Sequence, residues 1–365
     1  WGSRLLHLSC IWLRARQPLV MLATSRIHGS LAVLVAVLSG WSVGLAQTGA
    51  VPSAAIKPEA AASPPLRAVV SIPPLQGLIA PIIAASGSGV IDEGASRTLV
   101  QVLIPPGESE HGYEIPPSKL SALLQADLVV IVGLGLEPQI EKFLRDQPMP
   151  DGRGRTVIRF QDVLGLKSDD QAGHDHAHDH ADDHHQCAGD PHLWLDPVMV
   201  ERLVVAVTSS IAESVKADPA RKAKVEAAGA QVRERVLAVH AEYAVTCGSF
   251  ASKTIVVGHD AWGHLASRYG LETVAIAGLA ASEPTPKALE RAAKVVREKK
   301  LKVVFVEPQL GERAGRRIAE SSGAEIRRLD PLGDGDWFKM MEGNLAELKR
   351  ALGSPSVTNP VAPTK

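Results

Sequence analysis

The chain has 365 residues, 45% of them hydrophobic and 22% charged, enough for two ordinary domains folded around real cores. Its 39 Lys and Arg nearly cancel its 40 Asp and Glu, which excludes the basic field that holds nucleic acid or an anionic membrane. Three Cys are too few for a disulfide scaffold.

The first residues read as an address. Met21 is the expected start, Arg26 lies in a short polar region, and "LAVLVAVLSGWSVGLA" (31–46) is apolar but short for a membrane span. Gly44 and Ala46 suit cleavage after Ala46, so 1–46 is expected to be a leader with a cleaved signal peptide and the mature chain to work in an oxidising compartment. No Cys follows the apolar run, as a lipid anchor would require. Residues 47–66, rich in Ala, Pro and Ser, read as a flexible linker, and 354–365 as a frayed tail.

In the first half, "RAVVSI" (67–72), "TLVQVLI" (98–104), "DLVVIV" (127–132) and "RTVIRF" (155–160) read as buried strands. "PPSKLSALLQA" and "EPQIEKFLRD" read as helices between them. In the second half, "KTIVVG" (253–258), "ETVAI" (272–276), "KVVFVE" (302–307) and "EIRRLD" (325–330) are strands, separated by "DAWGHLASRYG", "TPKALERAAKVVREKK" and "GERAGRRIAESSG" as helices. This alternation suits parallel βαβ units. The expected fold is α/β: a lobe over 67–217, a second over 248–353, each a parallel sheet flanked by helices, joined by a long rigid helix over 218–247. Asp196-Pro197 and Asp218-Pro219 are the start signals of the two central helices. Val225, Val232, Val236, Val239 and Tyr243 form a helical stripe on the second.

"HDHAHDHADDHHQCAGDPHLWLDP" (174–197) opens with six His and four Asp in twelve residues. Such a tract cannot hold a packed core, and the stretch around it, a loop over 168–189, is long for an ordinary connection. Apart from it, Glu110 and His111 lie just beyond one strand, His192 just before a helix, and His259 and Asp330 at the carboxyl ends of strands. Ligand sites in open parallel sheets form in the crevice beyond those ends. Three imidazoles and a carboxylate there make a four-ligand metal site. Taken singly, each of these residues has a bland reading as a cap, turn or packing group; His240 and His264, in mid-helix, read as structural.

The segments "LIPPGESEHGYEIPPSKLSALLQADLVVIVGLGLEPQIEKFL", "DPHLWLDP", "VVGHDAWGHLASRYGL", "VVFVEPQ" and "LDPLG" resemble, in order, the zinc-binding solute-binding proteins of bacterial ABC zinc importers. The resemblance runs from about Arg67 to Ala351. It implies a Zn²⁺ site made by His111, His192 and His259 and an oxygen ligand that varies within the family: Asp330, Glu110 or water. Asp330 is preferred because it ends a strand of the second lobe and could reach across the cleft, whereas Glu110 shares a loop with His111 and neighbouring side chains tend to diverge. The resemblance further implies that His174, His176, His178, His180, His184 and His185 form a flexible loop binding zinc loosely. The implied protein is a periplasmic monomer, not an enzyme, delivering zinc to an inner-membrane permease with its cytoplasmic ATPase; nucleic acid is not a partner. Cys187 and Cys247 either pair or stay apart, with Cys187 then free to join the tract's zinc chemistry.

Two other readings use the same residues. Three His and an open position also describe a secreted zinc hydrolase, with Glu110 as a free base, although the chain has no HExxH and no nucleophile elbow. A zinc buffer living on the tract would make the folded lobes incidental.

Overall fold

The computed structural model describes residues 66–87, 100–149, 152, 154–167 and 189–353. The leader, the linker up to residue 65, the tail, and the His- and Asp-rich tract with Cys187 lie outside the described residues. All described residues belong to one compact unit.

Short runs rich in β-branched residues make parallel strands, and the inner ones, Ala68–Val70, Leu128–Ile131, Thr254–His259 and Val303–Val306, are buried on both faces, as expected where helices cover a sheet on two sides. β1 (Ala68–Val70), β2 (Val100–Val102), β3 (Leu128–Ile131) and β4 (Thr156–Arg159) form a parallel sheet in the order β2-β1-β3-β4. Ala68 pairs with both Val100 and Leu128, and Leu128 with Thr156. In the second half β5 (Thr254–His259) pairs with β6 (Glu272–Ala277) and β7 (Val303–Val306) with β8 (Glu325–Arg328), both parallel, with β5 packed beside β7.

Helices connect the strands. α1 (Pro73–Ala85) joins β1 to β2, α2 (Pro117–Gln125) joins β2 to β3, α3 (Pro138–Asp146) joins β3 to β4, and short α4 (Phe160–Leu164) follows β4. α5 (Pro197–Ser214) and α6 (Pro219–Gly248) lead to the second half, where α7 (Gly263–Tyr269), α8 (Pro286–Glu298), α9 (Arg313–Ser322) and α10 (Trp337–Leu352) follow. Asp196 and Asp218 cap α5 and α6 as their Asp-Pro pairs predict: each side chain accepts backbone N–H bonds of the first turn.

α1 and α10 are not among the elements expected from sequence. α1 carries Pro73, Pro74 and an internal Pro81, a composition that reads as a breaker, yet Leu75, Leu78, Ile79, Ile82 and Ile83 are all buried at helical spacing. Both helices pack on α6 and on each other. α6 is 30 residues and roughly 45 Å long, with α1 and α10 packed against it. Its Val225, Val232, Val236, Val239, Tyr243 and Cys247 are buried in a core that also takes in Val70, Leu78, Trp194, Val257 and Trp337. Residues of both halves share that core. Two indoles tie the halves further: Trp194 Nε1 donates to the Pro331 carbonyl (2.6 Å) and Trp337 Nε1 to the Trp194 carbonyl (2.8 Å).

Gly77 marks where α1 meets the turn before α10. A Cβ there would lie 2.5 Å from the Gly335 carbonyl oxygen and 3.1 Å from Asp336 Cα. Because the obstacles are backbone, overpacking should outweigh the gain in helix propensity. Gly77→Ala is expected to lower the unfolding free energy by about 1–3 kcal/mol, read by chemical denaturation. A rise of about 0.5–1 kcal/mol, the propensity gain alone, would mean that the turn yields.

Candidate metal centre

The loop after β2 brings Glu110 and His111 inward. Gly107 and Gly112 flank them with φ of 91° and 71°, values that L side chains rarely adopt, and the His111 N–H donates to Ser109 Oγ (3.2 Å). His192 directly precedes a single 3-10 turn, Leu193–Leu195, whose buried side chains anchor it ahead of α5. His259 is the last residue of β5, paired with Ala277. These segments, distant in sequence, converge.

One donor atom from each of Glu110, His111, His192 and His259 lies within 4.8 Å of all the others. His192 Nε2 is 3.3 Å from His111 Nε2 and 3.2 Å from His259 Nε2. Glu110 Oε1 stands 3.7, 3.6 and 3.8 Å from the Nε2 atoms of His111, His192 and His259. Tetrahedral zinc with Zn–N bonds near 2.0–2.1 Å sets its ligand atoms about 3.3–3.4 Å apart. The two closest nitrogen spacings match that edge, and the carboxylate edges are a few tenths longer. Glu110 Oε1 is buried without a hydrogen bond of normal geometry, a costly state for a carboxylate that a cation between the four donors would relieve. The residues present therefore fit a small, nitrogen-preferring divalent cation.

Two carboxylates behind the cluster orient the imidazoles. His192 Nδ1–H donates to Asp190 Oδ1 (2.7 Å), which also takes the His192 backbone N–H (3.0 Å). His259 Nδ1 bonds Glu307 Oε2, while Glu307 Oε1 accepts from the His259 N–H (3.3 Å) and from Trp262 Nε1 (3.2 Å). Each partner pins the Nδ1–H tautomer and leaves Nε2 facing the cluster. Neither residue was marked as functional from sequence. The available signals were a carboxylate two residues before His192 and another at the carboxyl end of the strand beside β5.

The charges follow. Burial pulls the His192 imidazole down, but its bond to Asp190 and the nearby Glu110 carboxylate overcome it and raise its pKa to about 9. His111, desolvated and facing two other imidazoles, falls to about 4 despite the adjacent Glu110. Burial raises the Glu110 carboxyl, yet His192 with His111 and His259 brings it below its ordinary value. His111 is the most open donor, its side chain 14% exposed against 2% or less for the other three. It lines a cavity of about 500 Å³ together with Tyr113, Leu134 and Leu279.

Asp330, the preferred oxygen ligand in the sequence reading, is not in the cluster. Its Oδ1 is spent on the turn through Pro331, accepting from Leu332 N (3.0 Å) and Gly333 N (2.8 Å), and on Gln309 Nε2 (2.7 Å). Glu110 stands in the cluster instead. The expectation that it diverges from His111 holds for a strand, where side chains alternate, and fails in this irregular loop. His240 and His264 serve elsewhere: His240 Nδ1 meets Tyr269 OH (3.0 Å) and His264 Nε2 donates to the Asp190 carbonyl (3.0 Å).

Residues 69–351 match the family model described as zinc-uptake complex component A, periplasmic. The chain belongs to this family. Among relatives of the zinc-uptake family, the zinc-binding lipoprotein AdcA of Streptococcus pneumoniae is 28% identical over 262 residues, 69% of this chain and 51% of the relative. The chain thus spans about half the length of that protein. The high-affinity zinc uptake system protein ZnuA of Yersinia pestis is 29% identical over 284 residues, 73% of this chain and 83% of its own. A crystal structure of ZnuA superposes with a TM-score of 0.62 at 26% identity, covering 79% of this chain and 99% of that one. The fold is the two-lobed α/β fold of the family's solved members.

Proposed function

We propose that this chain captures Zn²⁺ in the periplasm and delivers it to the permease of an ABC importer powered by a cytoplasmic ATPase. The observation that carries the reading is the convergence of Glu110 Oε1 and the Nε2 atoms of His111, His192 and His259, which lie within 4.8 Å of one another with five of their six spacings at 3.2–3.8 Å. Zinc is here the cargo. Three imidazoles and one carboxylate suit it better than manganese, which prefers a set of oxygen ligands. The family supports the transport role, and the alternation of capture and release falls on the centre's most exposed donor, His111, since α6 is packed along its length. On this reading Glu110 takes the fourth position that a zinc hydrolase leaves to an activated water, and the hydrolase reading finds no support in the family.

Isothermal titration with zinc tests the proposal. One tight site per molecule is expected, lost in His259→Ala. A zinc stoichiometry of zero in the folded, metal-stripped chain would remove the reading.

The tract is expected to be dispensable for that site. Deleting 173–185 should leave the single tight zinc and remove only weaker binding, because Glu110, His111, His192 and His259 all lie outside the deletion. Loss of tight binding on deletion would transfer the role of receptor to the tract.

A further inference from the structure

α7 is only seven residues long, yet it reaches the supports of two metal-facing imidazoles. Trp262, its N-cap, donates to Glu307, which holds His259. Arg268, in its last turn, grips Asp196 through three bonds of 2.8–3.1 Å, fixing the N-cap of α5 just after the His192 segment. His264, between them, donates from Nε2 to the Asp190 backbone carbonyl (3.0 Å) and lies 3.7 Å from Asp190 Oδ2. Asp190 in turn accepts both the ring and the backbone N–H of His192.

We propose that His264 is a positioning residue of the metal centre, setting His192 through Asp190; the inference rests on the reading of the cluster as a zinc site. The segment Gly189–His192 belongs to no helix or strand, so no ladder fixes it. Asp190 is 4% exposed, and a buried backbone carbonyl needs a donor. Among the described residues the donor given to it is His264, itself 5% exposed and carried by a helix of the second half. The imidazole thereby ties the His192 arm to the helix that directly follows His259. A residue serving only to fill this space would more cheaply be Leu, since an imidazole must be desolvated to sit there. The hydrogen bond to the arm is what the imidazole adds. If it goes, Asp190 gains freedom to shift, the Nδ1 bond of His192 loosens, and Nε2 leaves the tetrahedral position.

Zinc affinities of the full chain, measured by competition with a chromophoric chelator, and cobalt(II) absorption spectra of the same variants test this. His264→Leu is expected to weaken zinc by about tenfold, the lower end of what removing such a support costs, and to weaken the intense visible bands of tetrahedral cobalt. His264→Gln, whose amide N–H can replace Nε2–H, should stay within about threefold of wild type. In an Asp190→Ala background, where the Nδ1 bond of His192 is already gone, His264→Leu should cost much less than it does alone. Should His264→Leu fail to fold, His264→Asn, whose amide stops short of Asp190, takes its place. A lowered melting temperature with unchanged affinity and cobalt spectrum would make His264 a packing residue, and an additive loss in the double variant would mean it acts without Asp190. Absence of tight zinc binding in the wild type is a different failure, since it removes the site itself.

Discussion

Glu110→Ala should cost far more zinc affinity than Asp330→Ala. In the cluster Glu110 is the one anion among the four donors, 2% exposed, and the other three are imidazoles that must be neutral to bind. Removing it leaves a divalent cation in a buried site with no directly bound negative charge and with an empty coordination position. The expected loss is on the order of 3 kcal/mol, the range found when one partner of a buried charge pair is removed, or about 100-fold in Kd. Glu110→Gln separates charge from shape: it keeps an oxygen at nearly the same place and should fall between wild type and Ala. Asp330→Ala should change zinc affinity by less than about threefold and show instead as lost stability, about 1–3 kcal/mol, because three donors lose their shared acceptor. Competition titrations and chemical denaturation of the three variants give both numbers. If Asp330→Ala proves the more damaging to zinc, the loop around Pro331 rearranges to bring Asp330 to the metal.

Why the sequence left that choice open is physical. His111 and His259 were legible as candidates because a parallel sheet places ligands beyond the carboxyl ends of its strands, and strands such as Val303–Val306 announce themselves by β-branched runs buried on both faces; His192, just before a helix, was carried by the resemblance. The fourth donor depends on the course of an irregular loop, where no periodicity says which way Glu110 points. Asp330 looked well placed at the end of β8, but an Asp before Pro also makes a turn, and the turn consumed it. The same limit hid Asp190 and Glu307, whose role appears only once His192 and His259 have positions. α6 was legible from its Asp-Pro start and its valine stripe, while two of the helices packed on it, α1 and α10, were not: α1 opens on two prolines, and the core that α1, α6 and α10 share joins residues more than 250 positions apart, from Val70 to Trp337.

The pH dependence of zinc binding should report His192. At about 9 its pKa lies well above that of a free imidazole, near ~6.5, so in the metal-free protein at neutral pH His192 carries protons on both nitrogens. The Nδ1 proton stays on the bond to Asp190; zinc must displace the one on Nε2. Between about pH 7 and 9 affinity should therefore still climb about tenfold per pH unit, with roughly one proton released per zinc bound. His111, pushed down to about 4, adds no proton in that window, and Glu110, held below its ordinary value, is already ionised. The sign for the metal-free fold is the opposite. A folded pKa raised above the unfolded one stabilises the protonated form, so this contribution is complete below about pH 6.5 and is lost as pH rises through about 9. Zinc titrations at pH 7, 8 and 9, each in two buffers of different ionisation enthalpy, count the protons directly. An affinity flat above pH 7 with no proton release would mean that His192 is neutral in the free protein and that the Asp190 bond does not charge it.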